Sequence, residues 1–387
     1  MSRSWVDIDL DAIRANARRI CHYVGRSELC AVVKADGYGH GAADVAQASI
    51  DGGATRLAVA QVGEGIELRA QGVGAPTQGV GTPIWVLSEP APDEFQACFE
   101  HQLEPAIYSV DAVNAATVAA ASLADVGSGP RPTVHLKIDT GMGRVGANRD
   151  EAIGLASKVA QSTQLQLGSV WTHFSSADEA GGGDGYTQRQ LGIYQNVLEG
   201  LKANRINVGL RHVANSAASI AIPEAHYDVV RCGIALYGLP PSSFLAGAFD
   251  LQPALSWHSR VGFVKRARAG SAISYGRRSV LPRDTTLVSI PVGYADGYRR
   301  SLWDSGIGVL IRGKRRPIVG VITMDQMVVD CGDDDVLVGD EVVLLGTQGD
   351  VGITASELAE GLETINYEIT CGIGRRVERR YKNRLSA

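Results

Sequence analysis

The sequence predicts an α/β protein in two parts, a barrel of alternating strands and helices followed by a mainly antiparallel β domain. Eight apolar, strand-like runs alternate with helix-patterned segments over residues 29–231. Shorter runs of alternating polarity, separated by turn residues, follow a proline-rich stretch at 239–253. The length of 387 residues suits two or three domains.

The eight runs of the first part recur at a mean interval of roughly 28 residues, close to the ~30 residues of one strand–helix–strand unit. Such alternation predicts a parallel sheet that is buried on both faces. Eight units favour a TIM-type (β/α)8 barrel, whereas the alternative, a doubly wound open sheet, needs fewer strands. The candidate strands are 29–33, 56–60, 84–87, 105–107, 133–138, 167–172, 208–213 and 228–231.

The second part has the alternation and turn signals of antiparallel strands. Thr354 with Glu357 three residues later is typical of a helix N-terminus and predicts a short helix over 354–363. The candidate strands are 255–265, 285–292, 307–311, 317–323, 326–331 and 341–346.

The change of pattern near the proline-rich stretch sets the predicted domain limits. We place the barrel at residues 12–243 and the C-terminal β domain at 244–387. We expect residues 1–11 to pack on the β domain.

Charge and composition exclude several classes of protein. A net charge of −5 argues against a dedicated nucleic-acid binder, which carries a basic face. No apolar run approaches the ~20 residues of a membrane span, and the first residues lack the apolar centre of a signal peptide. The six cysteines are scattered without a Cys-x-x-Cys pair, which favours a reduced, cytoplasmic protein without a metal site.

Lys34 ends the first candidate strand, at the end of the barrel where active sites lie. A desolvated lysine loses its proton readily and can form a Schiff base, although a strand-end lysine can also simply reach to water. Residues 37–42 also fit the G-x-G-x-x-A dinucleotide fingerprint. Three residues separate that fingerprint from the strand, and the second strand ends without an acidic residue, so we favour the lysine.

Polar residues follow several other candidate strands of the barrel. Taken singly, each has an ordinary structural explanation, but together they bring an amine, a guanidinium, an imidazole and a hydroxyl to one face. Ser216 and Gly233-Ile234 also lie where a hydroxyl and exposed backbone N–H groups could bind a phosphate. The strand-end residues are Lys137, Arg144, His173, Ser216 and Arg231.

These residues make the chain resemble the alanine racemase family, which combines a barrel with a β domain and uses pyridoxal 5'-phosphate (PLP). The resemblance runs almost from end to end, between Trp5 and Glu368. The motifs that carry it are Ala31-Val32-Val33-Lys34, Tyr38-Gly39-His40-Gly41, residues 139–144, Asn215-Ser216, Arg231 with Gly233-Ile234, Ser274-Tyr275-Gly276 and Met324-Asp325-Gln326.

The resemblance implies how PLP is held. Lys34 would carry the cofactor as a Schiff base, His173 would pack beside the pyridine ring, and Arg231 would donate a hydrogen bond to the pyridine nitrogen. The implied phosphate ligands are Tyr38, Ser216, Gly233, Ile234 and Tyr367.

The resemblance also implies a reaction and an assembly. Lys34 and Tyr275 would be the two catalytic bases, with Tyr275 reaching the site from the partner subunit of a homodimer. The residues near the substrate would be Arg144, Met324 and Asp325, and Lys137 matches a position that is often carbamylated.

The implied activity is the interconversion of L- and D-alanine, which supplies D-alanine for peptidoglycan. Removal of a proton from one face of Cα and its return to the other suits one base on each face. Racemisation of serine or of a broader set of amino acids is the alternative on the same scaffold. A PLP decarboxylase and a non-catalytic PLP carrier are further alternatives that the Tyr275 motif disfavours.

Overall fold

The computed structural model describes residues 3–74, 81–124 and 130–384. It contains one sheet of parallel strands surrounded by helices, and three further sheets. Within these ranges, no helix is both long enough and apolar enough to cross a membrane.

The chain divides into two compact units, which we call the barrel unit and the β unit. Strand β1 (Ser4–Asp9) belongs to the β unit, and the chain then enters the barrel unit. The domain limits expected from the sequence stay a prediction. The barrel unit comprises Ile13–Gly37 and Ala42–Gln252, and the β unit comprises Met1–Ala12, Tyr38–Gly41 and Pro253–Ala387.

Eight parallel strands form the barrel, and each overlaps one candidate strand. They are β2 (Glu28–Val32), β3 (Arg56–Val59), β4 (Ile84–Val86), β5 (Leu103–Ile107), β6 (Thr133–Lys137), β7 (Gln166–Trp171), β8 (Leu210–His212) and β9 (Val229–Cys232). They pair in the order β8-β7-β6-β5-β4-β3-β2-β9. Hydrogen bonds from Asp228 N to Arg211 O and from Arg231 N to Ala214 O join the two ends of the sheet. The predicted (β/α)8 barrel is therefore confirmed.

Helices connect the barrel strands, as the alternating pattern predicts. The helix Leu10–Val24 precedes β2 and buries Ile13, Ala17 and Ile20, whose spacing places them on one face. The later helices of the barrel unit are Ala42–Asp51, Val62–Ala70, Glu94–Glu100, Val110–Ala124, Arg149–Gln161, Tyr186–Ala203 and Ser216–Ala221.

The β unit is mainly antiparallel, as predicted. Its strands are β10 (Leu255–Arg260), β11 (Phe263–Ala267), β12 (Ala272–Ile273), β13 (Ser279–Val280), β14 (Thr285–Ile290), β15 (Val309–Ile311), β16 (Lys314–Arg316), β17 (Met327–Gly332), β18 (Glu341–Gln348), β19 (Val351–Ile353) and β20 (Glu378–Lys382). The largest sheet of the β unit has the order β16-β15-β18-β10-β1-β20, and β19 pairs with β18. The smaller sheets are β11-β14-β17 and β12-β13, and the β1–β20 pairing is parallel.

Two candidate strands of the β unit differ from the structure. The run 255–265 is two strands, β10 and β11, which belong to different sheets. The run 317–323 forms no strand but one isolated bridge, between Ile318 and Val329. Gly320 has a φ of +74°, a left-handed conformation that ends the extended backbone there.

The predicted helix near residue 354 is present but shorter. Thr354 Oγ1 accepts a hydrogen bond from Glu357 N (3.0 Å), as its capping pattern predicts. The helix covers Ala355–Glu360, and a second helix, Asn366–Cys371, follows it. Glu363 has a φ of +54°, which accounts for the break between the two.

The segment Tyr38–Gly41 packs closely on the C-terminal part of the β unit. The Tyr38 and Tyr367 rings lie 6.1 Å apart, and Arg379 Nε donates to Gly39 O (3.3 Å). Gly39 has a φ of +83°, and a Cβ there would lie 2.2 Å from the backbone oxygen of Thr370. Only glycine allows this approach.

We therefore expect Gly39→Ala to lower the free energy of unfolding by at least ~2 kcal/mol more than Gly25→Ala does. Gly25 is a matched control, since it also has a positive φ (+69°) but open space around it. Urea unfolding of the two variants measures the difference. Equal losses would show that the close approach to Thr370 is unimportant.

Candidate active site

The mouth of the barrel unit collects five of the predicted site residues. Lys34 comes two residues after β2, Lys137 ends β6, His173 follows β7, and Arg231 lies in β9. Burial holds the pKa of His173 well below its usual range. Four positive charges lower it further, those of Arg231, Arg144, Lys137 and Lys34. The structure thus brings these five side chains into one electrostatic cluster, as the strand-end pattern predicts.

The Arg231 side chain is buried, and several contacts hold its guanidinium. Its Nη1 donates to His212 Nδ1 (2.7 Å), and its Nη2 donates to the backbone oxygens of Thr172 (2.8 Å) and Val213 (3.2 Å). The guanidinium carbon lies 4.7 Å from the centre of the Trp171 ring. Burial lowers the pKa of Arg231 to about 10, so the group still carries its charge at neutral pH.

Lys137 lies over the same indole, with its Nζ 4.7 Å from the centre of the Trp171 ring. Its side chain is buried, with 4% of the residue exposed. Burial, and then the charges of Arg144 and Arg231, lower the pKa of Lys137 to about 8. A substantial fraction of this amine is therefore neutral near physiological pH, which an exposed lysine would not be.

Lys34 opens a left-handed turn, Lys34–Tyr38, at the end of the first barrel strand. Ala35 and Asp36 have φ values of 52° and 51°, which are unusual for residues other than glycine. Two side chains hold the turn: Glu64 Oε1 accepts from Ala35 N (2.7 Å), and Asp36 Oδ1 accepts from Ala42 N (2.9 Å). In a dinucleotide fingerprint the strand leads directly into the glycine turn, whereas here a left-handed turn begins between the strand and the first glycine, so this geometry does not match that alternative.

Ser216, Gly233 and Ile234 are brought together at the ends of β8 and β9. Ser216 Oγ accepts a hydrogen bond from Gly233 N (2.9 Å) and lies 3.5 Å from Ala235 N. Ile234 begins a single 3-10 turn, Ile234–Tyr237, so its N–H is at the open end of a helical turn. Three of the residues predicted to bind a phosphate are therefore neighbours in the barrel unit, and their role as phosphate ligands stays a prediction.

The remaining predicted residues belong to the β unit. Tyr38 and Tyr367 lie side by side, as described above. Tyr275 is 71% exposed and follows β12, where Ser274 Oγ donates to Val321 O (2.6 Å). Met324 is 53% exposed, and its backbone oxygen accepts from Ala295 N (3.0 Å).

Asp325, the third predicted substrate residue, has a charged partner of its own. Its Oδ1 accepts from Arg376 Nη2 (2.8 Å), and the same guanidinium pairs with Asp296 (3.3 Å). These contacts fix the loop that presents Met324. Arg376 belongs to the basic C-terminal stretch, whose role the sequence leaves open.

Sequence reasoning missed His212, Trp171 and Arg376. His212 and Trp171 lie at the ends of candidate strands 208–213 and 167–172, at paired positions of neighbouring strands. The sequence shows a histidine and a tryptophan at strand ends, which could have marked them as candidates. It does not show the strand register that brings them beside Arg231.

Two family models match the chain. One, described as "Alanine racemase, N-terminal domain", covers residues 8–241, and the other, "Alanine racemase, C-terminal domain", covers residues 254–381. The chain belongs to the alanine racemase family. Members of this family are PLP-dependent isomerases, so the predicted enzyme class is confirmed.

Individual alanine racemases resemble the chain over nearly its whole length. The alanine racemase of Symbiobacterium thermophilum is 46% identical over 98% of this chain and 97% of its own. That of Halothermothrix orenii is 41% identical over 99% and 97%. The crystal structure of the Streptomyces lavendulae alanine racemase has a TM-score of 0.90 at 35% identity, covering 100% of this chain and 98% of that one. The Bacillus anthracis alanine racemase, solved with bound L-Ala-P, has a TM-score of 0.88 at 35% identity over 99% and 96%.

The lowered pKa of Lys137 predicts a pH-dependent stability. Below about pH 8 the folded chain buries a charged amine, and this cost disappears between pH 8 and 10.5, the ordinary lysine value, because the unfolded chain then binds more protons. We expect the native chain to gain about 3 kcal/mol relative to Lys137→Met between pH 7 and 10.5. Urea unfolding in CO₂-free buffer measures this gain.

The control is Lys158→Met, at an exposed lysine of the helix Arg149–Gln161. Its amine stays at the surface, where it donates to Asn114 Oδ1 (2.6 Å), so the stability difference from the native chain should stay constant across the same pH range. A constant difference for Lys137→Met as well would contradict the burial of a charged Lys137.

Proposed function

We propose that the chain interconverts L-alanine and D-alanine with PLP held at the barrel mouth. The observation that carries this proposal is the cluster of Lys34, Lys137, Arg144, His173 and Arg231 at the ends of the barrel strands. A primary amine surrounded by cations suits the attachment of an anionic aldehyde cofactor and the binding of a carboxylate substrate.

The donor set of the barrel unit fits PLP. The cofactor requires an amine, donors for a phosphate and a partner for the pyridine nitrogen. Lys34 supplies the amine, and Arg231 supplies a guanidinium that donates but cannot accept a proton. Ser216, Gly233 and Ile234 supply the hydroxyl and backbone N–H groups, with Tyr38 and Tyr367 proposed as further phosphate ligands and His173 proposed beside the pyridine ring.

When bound, PLP would withdraw electrons from the substrate and acidify its Cα proton. The chain's own residues would then control the proton. We assign one face of Cα to the Lys34 amine and the other to the Tyr275 phenol of a partner subunit. The 71% exposure of Tyr275 in a single chain leaves this phenol accessible to a second copy. A homodimer with shared active sites follows from this assignment.

We assign substrate selection to Arg144, Met324 and Asp325. Arg144 would pair with the substrate carboxylate, and the backbone of Met324 would bind close to it. Asp325 would act by holding the Met324 loop through Arg376. We propose alanine as the substrate, since the relatives carry that name, and cytoplasmic supply of D-alanine for peptidoglycan as the role. Serine or a broader range of amino acids remains the alternative.

Exchange of the Cα hydrogen in D₂O separates the two bases. Lys34→Ala should abolish both racemisation and exchange. Tyr275→Phe should lower racemisation by about 100-fold or more. It should still exchange the hydrogen of D-alanine through Lys34, but lose that of L-alanine. Mass spectrometry and chiral chromatography measure the two products.

The control for these variants is Tyr23→Phe, at a tyrosine on the outer helix Leu10–Val24 that is 45% exposed. It should racemise alanine at the native rate. Equal exchange from both enantiomers in Tyr275→Phe would reject Tyr275 as the base for the L face, and no racemisation by the native chain would reject the proposed activity.

We also propose that Lys137 carries a carbamate. Its amine, with a pKa of about 8, attacks the carbon of CO₂, a new N–C bond forms, and one N–H proton leaves to solvent. The product is an anion, which the positive charges of Arg144 and Arg231 favour. This anion would then fix the Arg144 guanidinium for the substrate.

Carbon-13 NMR with ¹³C-bicarbonate tests the carbamate. We expect one carbamate resonance that is absent from Lys137→Met and present in Lys158→Met. Its absence from the native chain, or its persistence in Lys137→Met, would disprove the modification of Lys137.

A further inference from the structure

A chain of five hydrogen-bonded side chains crosses the barrel unit, from Arg231 to Glu104. Arg231 Nη1 contacts His212 Nδ1 (2.7 Å), and His212 Nε2 contacts Ser169 Oγ (2.8 Å). Ser169 Oγ also contacts His135 Nδ1 (2.7 Å), and His135 Nε2 contacts Glu104 Oε2 (3.0 Å). Every contact has the length of an ordinary hydrogen bond.

Five consecutive strands supply the five side chains. Glu104 lies in β5, His135 in β6, Ser169 in β7, His212 in β8 and Arg231 in β9. His135 and Ser169 are direct neighbours in the register of β6 and β7. Inward-facing side chains of a barrel fill its interior, so neighbouring strands can link their side chains into one continuous path.

With His135 neutral, the chemistry of the two ends gives the chain a single direction. Arginine only donates hydrogen bonds, so His212 must accept at Nδ1 and carry its proton on Nε2. That proton is donated to Ser169, and the Ser169 hydroxyl in turn donates to His135 Nδ1. His135 then donates from Nε2 to the Glu104 carboxylate, which only accepts.

The surroundings hold His212 neutral and fixed. The side chain is completely buried. Burial and the charge of Arg231 hold its pKa well below the usual range. The Trp85 and Trp171 rings both stack on it, at centroid distances of 4.5 and 5.5 Å. Trp85 Nε1 also donates to Glu104 Oε2 (2.9 Å), so one indole holds two members of the chain.

We propose that Ser169, His135 and Glu104 are positioning residues for Arg231. By accepting the Nε2 proton of His212, they favour the same tautomer as Arg231 does and hold the ring where Nδ1 meets the guanidinium. If the chain were broken, the Nε2–H would be buried without an acceptor, and this cost would favour a turned ring or the Nδ1 tautomer, in which two donors face each other at Arg231. The inference rests on the proposed function, since Arg231 is assigned there to the pyridine nitrogen.

The first test follows the His212 proton in the chain without PLP. Nitrogen-15 NMR distinguishes the two ring tautomers, and the signals are assigned from their loss in His212→Gln. We expect protonation on Nε2 alone in the native chain, and a mixture of tautomers in Ser169→Ala and in Glu104→Leu. An unchanged His212 tautomer in both variants would overturn the proposal.

Conservative variants distinguish the chain from general packing. Ser169→Thr keeps a hydroxyl and Glu104→Gln keeps a carbonyl acceptor, so both should retain the native tautomer. Ser49→Ala removes a fully buried hydroxyl elsewhere in the barrel unit, one that donates to Val45 O (2.8 Å), and is the matched control. A mixture of tautomers in Ser49→Ala would attribute the effect to barrel stability and overturn the assignment.

The second test measures PLP affinity and the visible absorption maximum of bound PLP. We expect Ser169→Ala and Glu104→Leu each to raise the dissociation constant of PLP about tenfold, which corresponds to the loss of roughly one hydrogen bond. Each variant should also shift the absorption maximum of bound PLP. The double variant should match the single variants, because members of one chain are non-additive. Additive losses, or native affinity with an altered tautomer, would overturn the positioning role.

The failures of the two proposals are distinguishable. A native chain that binds no PLP would reject the proposed function and, with it, the assignment of Arg231 that this inference uses. A native chain that binds PLP and racemises alanine, but whose His212 tautomer ignores Ser169 and Glu104, would reject the inference alone.

Discussion

The charge of Arg231, buried inside the barrel, is the constraint on which the rest of the barrel mouth depends. Removal of a guanidinium from water costs several kcal/mol unless acceptors replace the water. Two backbone oxygens and His212 Nδ1 are those acceptors, and the Trp171 face lies against the cation. Since each of them sits at the end of a barrel strand, the parallel sheet is what allows the charge to be buried.

This buried charge also determines the state of its neighbours. It disfavours a proton on His173 and His212 and helps to lower the pKa of Lys137. A cluster of partly buried cations is unfavourable by itself, so it favours the binding of anions. The phosphate of a cofactor, the carboxylate of a substrate and a carbamate on Lys137 are all anions, so a single electrostatic requirement supports all three proposals.

The sequence predicted local and periodic features well, and distant pairings poorly. Alternating runs located eight barrel strands, because burial on both faces leaves a continuous apolar signal. The run 317–323 was wrongly predicted to be a strand, because the left-handed conformation of Gly320 interrupts its extended backbone. Lys34 and Arg231 were visible at strand ends. Glu104 and Ser169 were not, because only the pairing of neighbouring strands shows that both contact His135.

Stability gives little reason for the polar chain between Arg231 and Glu104. Buried polar networks return roughly what their desolvation costs, and apolar residues of similar volume often serve as well or better. Such a network does provide a fixed geometry, because each member has one partner on each side. A guanidinium that must meet one ring nitrogen benefits from that geometry. The polar interior of the barrel is therefore better explained by the precision that Arg231 requires than by the stability of the fold.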